Sequence, residues 1–231
     1  MRIRSAAVAA LAALALVASA CGGSTSAQGD LLARIQKNGV IRIATDPNYP
    51  PYSELVDGEY DGFDIAVARL IAGALEVEIE WQTPSWDALT AGNWGDRWDI
   101  SVGSMAQTSE RSKVINFSEP YYYAYAYIAV PADSTAATMA DLAGTTGCVG
   151  SATIYESWLK GDLANDKFVI VNSAPPADVT VQSQETDNLC IEALAAGRSW
   201  DFFVQSDAFI DNAIASGAAI SLAVPHLRND L

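Results

Sequence analysis

The chain has 231 residues, 50% of them hydrophobic, and a formal net charge of -15 from 28 Asp and Glu against 13 Lys and Arg. That length buries a sizeable core, in one large domain or two small lobes, and so acidic a balance leaves no basic stripe to meet nucleic-acid phosphates. The single histidine, His226, excludes a histidine-based catalytic triad and most metal-site patterns; the sequence singles out no catalytic residue, metal or other cofactor.

Arg2 and Arg4 open the chain, followed from Ala6 to Val17 by a short run of Ala, Leu and Val. The run is too short for a membrane span and ends in small residues, Ala18-Ser19-Ala20, so residues 1–20 read as a signal peptide. Cys21 then resembles the lipidated cysteine of bacterial lipoproteins, with 21–30 as a polar tether. Ordinary cleavage after Ala20 is the alternative, because Ala18 stands where a lipobox more often has Leu. An exported chain matures where disulfides persist. Setting Cys21 aside leaves Cys148 and Cys190, for one bridge or two buried thiols.

A short helix is predicted from Asp30 to Asn38, stopped by Gly39, and a compact apolar strand over Val40–Ala44. From Phe63, apolar side chains recur at Ala66, Val67, Leu70, Ile71 and Ala74, the stripe of a helix packed on a sheet. Val77 to Trp81 alternates like a half-buried strand, a short helix starts at Trp86, and Trp98–Val102 reads as a strand. After Ile128–Pro131 the same grammar restarts. Strands are expected at Gly147–Val149, Phe168–Val171 and Asp201–Val204, with helices from Ile154, over Asn188–Ala196, and after Asp207. This alternation implies an α/β fold with largely parallel sheets. The expected layout is lobe 1 over 31–127, a hinge strand at 128–131, lobe 2 over 132–221, and a return to lobe 1 over 222–231.

Several motifs occur in a fixed order. They are Gly39-Val40-Ile41-Arg42-Ile43-Ala44-Thr45-Asp46 with Tyr49-Pro50-Pro51-Tyr52, then Asp61-Gly62-Phe63-Asp64 and Ser85-Trp86-Asp87-Ala88-Leu89. Next come Thr108-Ser109-Glu110-Arg111, Phe117-Ser118-Glu119-Pro120-Tyr121-Tyr122 and Asp141-Leu142-Ala143-Gly144. Together, from about Leu31 to Ile220, they resemble the extracellular solute-binding proteins of polar amino-acid uptake (ABC) transporters, the family 3 type. The resemblance implies the type II periplasmic-binding-protein fold, two lobes that close on a ligand. It also implies a monomer that captures an amino-acid-like small molecule for a membrane permease, without an enzymatic step. Family members continue further after re-entering the first lobe, so the C-terminal part of lobe 1 is expected to be missing here.

The same resemblance assigns site residues. Arg111 is the carboxylate fork, since a guanidinium fixes a carboxylate through two parallel bonds. Ser104 and Thr108 complete it, though Ala106 replaces a customary hydroxyl. Ser151 and Thr153 open a second-lobe helix where an anion is attracted; a simple N-cap role is the alternative. Tyr49 and Trp86 flank the ligand side chain. Ser206 stands where the family has an ammonium-binding aspartate, so either Asp207 or Asp46 substitutes or the ligand has no free ammonium. Some relatives have cysteines matching Cys148 and Cys190, which implies a bridge in the second lobe. Two other functions are open on this scaffold: a cyclohexadienyl or arogenate dehydratase, and a ligand-sensing domain.

Overall fold

The computed structural model describes residues 30–223; the expected signal peptide, Cys21, most of the expected tether, His226 and the end of the expected return segment lie outside them. Helix α1, Leu31–Asn38, forms as expected. The Asp30 carboxylate accepts from Leu32 N–H at 3.1 Å, and Gly39 at φ +67° ends the helix by donating to the Ile35 carbonyl. α1 belongs to one compact unit and everything from Val40 to another, described next.

The first lobe is built on a three-stranded parallel sheet of β1 (Val40–Ala44), β5 (Glu78–Gln82) and β6 (Ile100–Ser101), in the order β5-β1-β6. The central strand is the apolar one, with Ile41, Ile43 and Ala44 buried, as a strand covered on both faces requires. Helix α2, Phe63–Leu75, forms as expected but turns Ile65, Ala68 and Ala72 inward, not the expected stripe: Ala66, Leu70 and Ala74 are exposed, and Val67 and Ile71 are half-buried at its margin. Between β1 and α2 lies a small antiparallel sheet of β2 (Asn48–Tyr49), β3 (Ser53–Val56) and β4 (Glu59–Asp61). Its β3–β4 turn is Asp57-Gly58, both at positive φ, the backbone a tight hairpin needs. Gly62 then caps α2 at φ +118°, where any Cβ would fall 2.4 Å from the Tyr52 carbonyl oxygen. Helix α3, Trp86–Thr90, is capped by Ser85 and packs Leu89 against Ala44 and Trp98.

The second lobe holds β7 (Ala126–Pro131), β8 (Thr146–Gly150), α4 (Ile154–Leu159), β9 (Thr180–Gln184), α5 (Asn188–Ala195), β10 (Phe202–Ser206), α6 (Asp207–Ala215) and β11 (Ile220–Leu222). Its five strands run β11-β7-β10-β8-β9, parallel from β10 through β8 to β9 and antiparallel where β7 meets β10 and β11. Alternation along the strands sends Ile128, Val130, Val149, Phe202 and Val204 to one core and Ala129, Cys148 and Phe203 to another on the opposite face. Cys148 of β8 is bonded to Cys190 of α5, with Cα atoms 5.9 Å apart and both residues fully buried.

Three further sequence expectations change. Phe168–Val171 pairs with nothing: Val169 enters the core, while Phe168 and Ile170 are 41% and 65% exposed. The strand in that part of the lobe is β9, paired along Thr146–Gly150. Residues 128–131, expected as a hinge, are the greater part of β7 and are held on both sides within the sheet. Leu222, expected to begin the return, still belongs to that sheet through its pairing with Ala129.

Candidate functional site

A cavity of about 440 Å³, partly open to solvent, lies between the two lobes. The first lobe contributes Asp46, Tyr49, Trp86, Ser104 and Arg111 to its wall, and the second contributes Ser151, Thr153, Tyr155, Asp187 and Gln205.

Arg111 begins a short 3₁₀ turn, and its backbone N–H donates to Thr108 Oγ1 at 3.1 Å. Thr108 therefore shapes the turn from behind; it is buried and absent from the cavity wall. The Arg111 side chain is 8% exposed. Nη1 donates to the Ala106 carbonyl at 2.7 Å and Nη2 to the Ala152 carbonyl, across the cavity, at 2.8 Å. A guanidinium has five N–H donors, so three remain without a partner among the described residues. No described carboxylate pairs with it either. Burial pulls its pKa down to about 10, partly offset by the Tyr155 hydroxyl. The Trp86 ring lies 5.7 Å from the guanidinium carbon, within cation–π reach, and Trp86 Nε1 also donates to the Ala152 carbonyl, at 3.3 Å.

Ser104 is held at φ +57° by a buried network. Its hydroxyl donates to Asp64 Oδ2 at 2.6 Å, and the Tyr121 hydroxyl donates to Asp64 Oδ1 at 2.8 Å. The Ser104 proton is thus committed, leaving its oxygen as an acceptor on the cavity side. Burial raises Asp64 to about 6 against the opposing pull of these two hydroxyls.

The Ser151–Thr153 turn differs from its expected role. Ser151 N–H donates to the Gln184 carbonyl and Ala152 N–H to Glu156 Oε2, so two of the amides thought open to an anion are taken. Thr153 caps α4 through its hydroxyl, and Ser151 Oγ donates across the lobes to Asp87 at 2.7 Å. Ser206 and Asp207 are also displaced from their expected role. Ser206 is 1% exposed, caps α6 and stands 3.2 Å from the Tyr49 hydroxyl; the Asp207 carboxylate accepts from Ala208 N–H. Neither reaches the cavity wall. Tyr49 spans the lobes by donating to Gln205 Oε1 at 2.9 Å, and Asp46, on the wall, accepts from Asn48 N–H in a local turn.

Sequence reasoning missed Asp187. It precedes α5 and looks like an ordinary N-cap, yet its side chain makes no cap bond and turns to accept from Gly150 N–H at 2.8 Å. Burial pushes its carboxyl up to about 7, with Asp46 adding to the rise and the Gly150 amide and Gln205 side chain opposing it. The only sequence-level signal is an acid followed by Asn188-Leu189, a helix start like many others.

Two α/β lobes flanking a cavity that takes Arg111 from one side and Asp187 from the other are the architecture of a hinged binding protein. The comparisons agree: residues 41–221 match the model of the bacterial extracellular solute-binding proteins, family 3, and the chain belongs to that family. It is 28% identical over 187 residues to the L-cystine-binding protein TcyJ of Escherichia coli K12, covering 80% of this chain and 70% of that one. It is 39% identical over 115 residues to the cyclohexadienyl dehydratase of Pseudomonas aeruginosa, covering 49% and 42%. Among solved structures, the ancestral amino acid-binding protein AncCDT-1, described as a precursor of cyclohexadienyl dehydratase, superposes with TM-score 0.71 at 26% identity, covering 83% of this chain and 80% of that one. The cysteine-binding protein of Campylobacter jejuni shares the fold with TM-score 0.73 at 21% identity, covering 86% and 76%. No described helix is long and apolar enough to cross a membrane.

Proposed function

We propose that this protein captures a free amino acid or a close derivative by its carboxylate and delivers it to the permease of an ABC-type importer, working as a monomer held at the membrane by lipid on Cys21. The observation that supports this most is Arg111: a guanidinium at 8% exposure in the wall of the inter-lobe cavity, unpaired with any described carboxylate. A buried cation without a counter-charge costs several kcal/mol, so the ligand is the natural source of the missing anion. The relatives named for cystine and amino-acid binding point to the same ligand class. Mass spectrometry of the molecule retained after gentle purification, followed by calorimetric titration of that molecule into stripped protein, tests the reading. A retained amino acid that rebinds supports it; a ligand without a carboxylate overturns it. Membrane partitioning that disappears in Cys21→Ser tests the anchor.

A dehydratase is the second reading, favoured by the carboxyl of Asp187, which titrates near neutrality inside the cavity as a general acid requires. Incubation with prephenate and with arogenate separates the two. Unchanged substrate supports capture, and appearance of the decarboxylated aromatic product supports catalysis.

A further inference from the structure

We propose that Asp187 holds the ammonium group of the bound molecule, so that this site selects the amino-acid zwitterion over carboxylates that lack the amine. The inference rests on the capture reading above and adds the second anchor. Asp187 is 9% exposed and lines the same cavity as Arg111, from the opposite lobe. Among the described residues it has no lysine or arginine partner; its carboxylate accepts from the neutral Gly150 amide at 2.8 Å and is otherwise near only the neutral Gln205 side chain.

The surroundings are built for this carboxylate. A Cβ on Gly150 would fall 2.7 Å from Asp187 Oδ1 and 2.9 Å from Oδ2, so the strand end must be glycine for the acid to sit there. The Gln205 side chain, fully buried and with Nε2 making no regular hydrogen bond, stands beside it and favours its charged form. A carboxylate buried with only neutral donors is poorly compensated, as is a guanidinium given only carbonyls. A zwitterion supplies both missing charges at once, whereas a desamino acid satisfies Arg111 and leaves Asp187 unpaired. Asp46 is the competing acid on this wall. It is more exposed than Asp187, and its carboxylate is engaged in the turn to Asn48.

The test is an analogue cycle by calorimetry on the full mature protein. The probes are the tightest binder among the twenty common L-amino acids and L-cystine, and its 2-hydroxy-acid counterpart with the same side chain. Wild type is expected to bind the amino acid at least about 30-fold more tightly than the hydroxy acid. Asp187→Asn is expected to lose about that factor for the amino acid and to change hydroxy-acid binding less than about threefold. Equal wild-type affinity for the two probes overturns the inference without needing any variant to fold. An Asp187→Asn protein that keeps its amino-acid affinity also overturns it and leaves the capture reading standing. Wild type that binds no amino acid of the panel overturns both.

Discussion

Replacing Arg111 by Met separates binding from folding. The side chain is nearly isosteric, and the change removes a guanidinium that burial already disfavours, as its lowered pKa shows. Against that gain, the Ala106 and Ala152 carbonyls lose charged donors at 2.7 and 2.8 Å, worth about 1–3 kcal/mol each where water does not replace them. The two effects oppose, so ligand-free stability should move by less than about 2 kcal/mol, roughly 4–8 °C in Tm. Binding has no such compensation. A desolvated carboxylate left without its fork costs about 2–5 kcal/mol, a loss of about 30- to 5000-fold in affinity. Arg111→Lys retains the charge but not the fork, and should lose about ten- to a hundredfold. Differential scanning calorimetry of stripped protein and isothermal titration with the retained ligand read the two quantities independently. An Arg111→Met protein that binds within about threefold of the parent refutes the carboxylate clamp.

Asp187 titrates at about 7 in the empty site, facing Asp46, the Tyr49 and Tyr155 hydroxyls, the Gln205 amide and, across the cavity, Arg111. An ammonium binds its ionised form, so affinity should fall toward tenfold per unit as pH drops below about 7, and this slope should vanish in Asp187→Asn. Its raised pKa means that the folded, ligand-free state holds this proton more tightly than the unfolded chain. That contribution to stability is present at acid pH and lost as pH rises through about 7, so Asp187→Asn should melt higher than the parent at pH 8. The Cys148–Cys190 bridge closes 42 residues, for a chain-entropy contribution of at most about 4 kcal/mol; a Cys148→Ser/Cys190→Ser double variant should melt lower, and unchanged melting would contradict that account. Small-angle scattering should show the stripped protein more expanded than the liganded one, and identical radii would argue against ligand-driven closure.

The elements legible in the sequence are those whose burial is symmetrical. Val40-Ile41-Arg42-Ile43-Ala44 is a central parallel strand and looks like one; α2 was legible as a helix but not in its orientation, because Phe63–Leu75 is apolar nearly all round and the face it buries is Ile65, Ala68 and Ala72. Thr180-Val181-Gln182-Ser183-Gln184 hid because β9 is the outer strand of its sheet, where polar side chains are tolerated and the pairing is made by backbone alone. Phe168-Val169-Ile170-Val171 misled for the opposite reason: its apolar residues divide between cavity, core and solvent without any ladder. The β3–β4 hairpin announced itself through Asp57-Gly58, a turn signal the helix and strand patterns overshadowed. That Arg111, Tyr49 and Trp86 come together on the cavity wall was readable because each lies in a distinctive local motif. Asp187 was not, since its role depends on β8 ending in a glycine that is distant in sequence.

Closure itself follows from the same two charges. The lobes are bridged by the stacking of Tyr49 on Phe209 and by polar contacts: Arg111 and Trp86 to the Ala152 carbonyl, Ser151 to Asp87, Tyr49 to Gln205, Asn188 to the Asn48 carbonyl at 3.0 Å, and Ser109 N–H to Asp166 at 2.7 Å. Water replaces every polar contact when the lobes part, so each contributes only about 0.5–1.5 kcal/mol to the closed state. Opening also hydrates Arg111 and Asp187, and each buried ion regains several kcal/mol by it. That hydration opposes the bridging contacts in the ligand-free protein. A ligand that meets both charges removes the ionic penalty without touching the bridging contacts, and its differential affinity for the closed state then sets the population. A ligand that meets one charge removes only part of the penalty. Selectivity for the zwitterion and closure around it are therefore one energetic property, because the unpaired charges that recognise the ligand are also what resists closing without it.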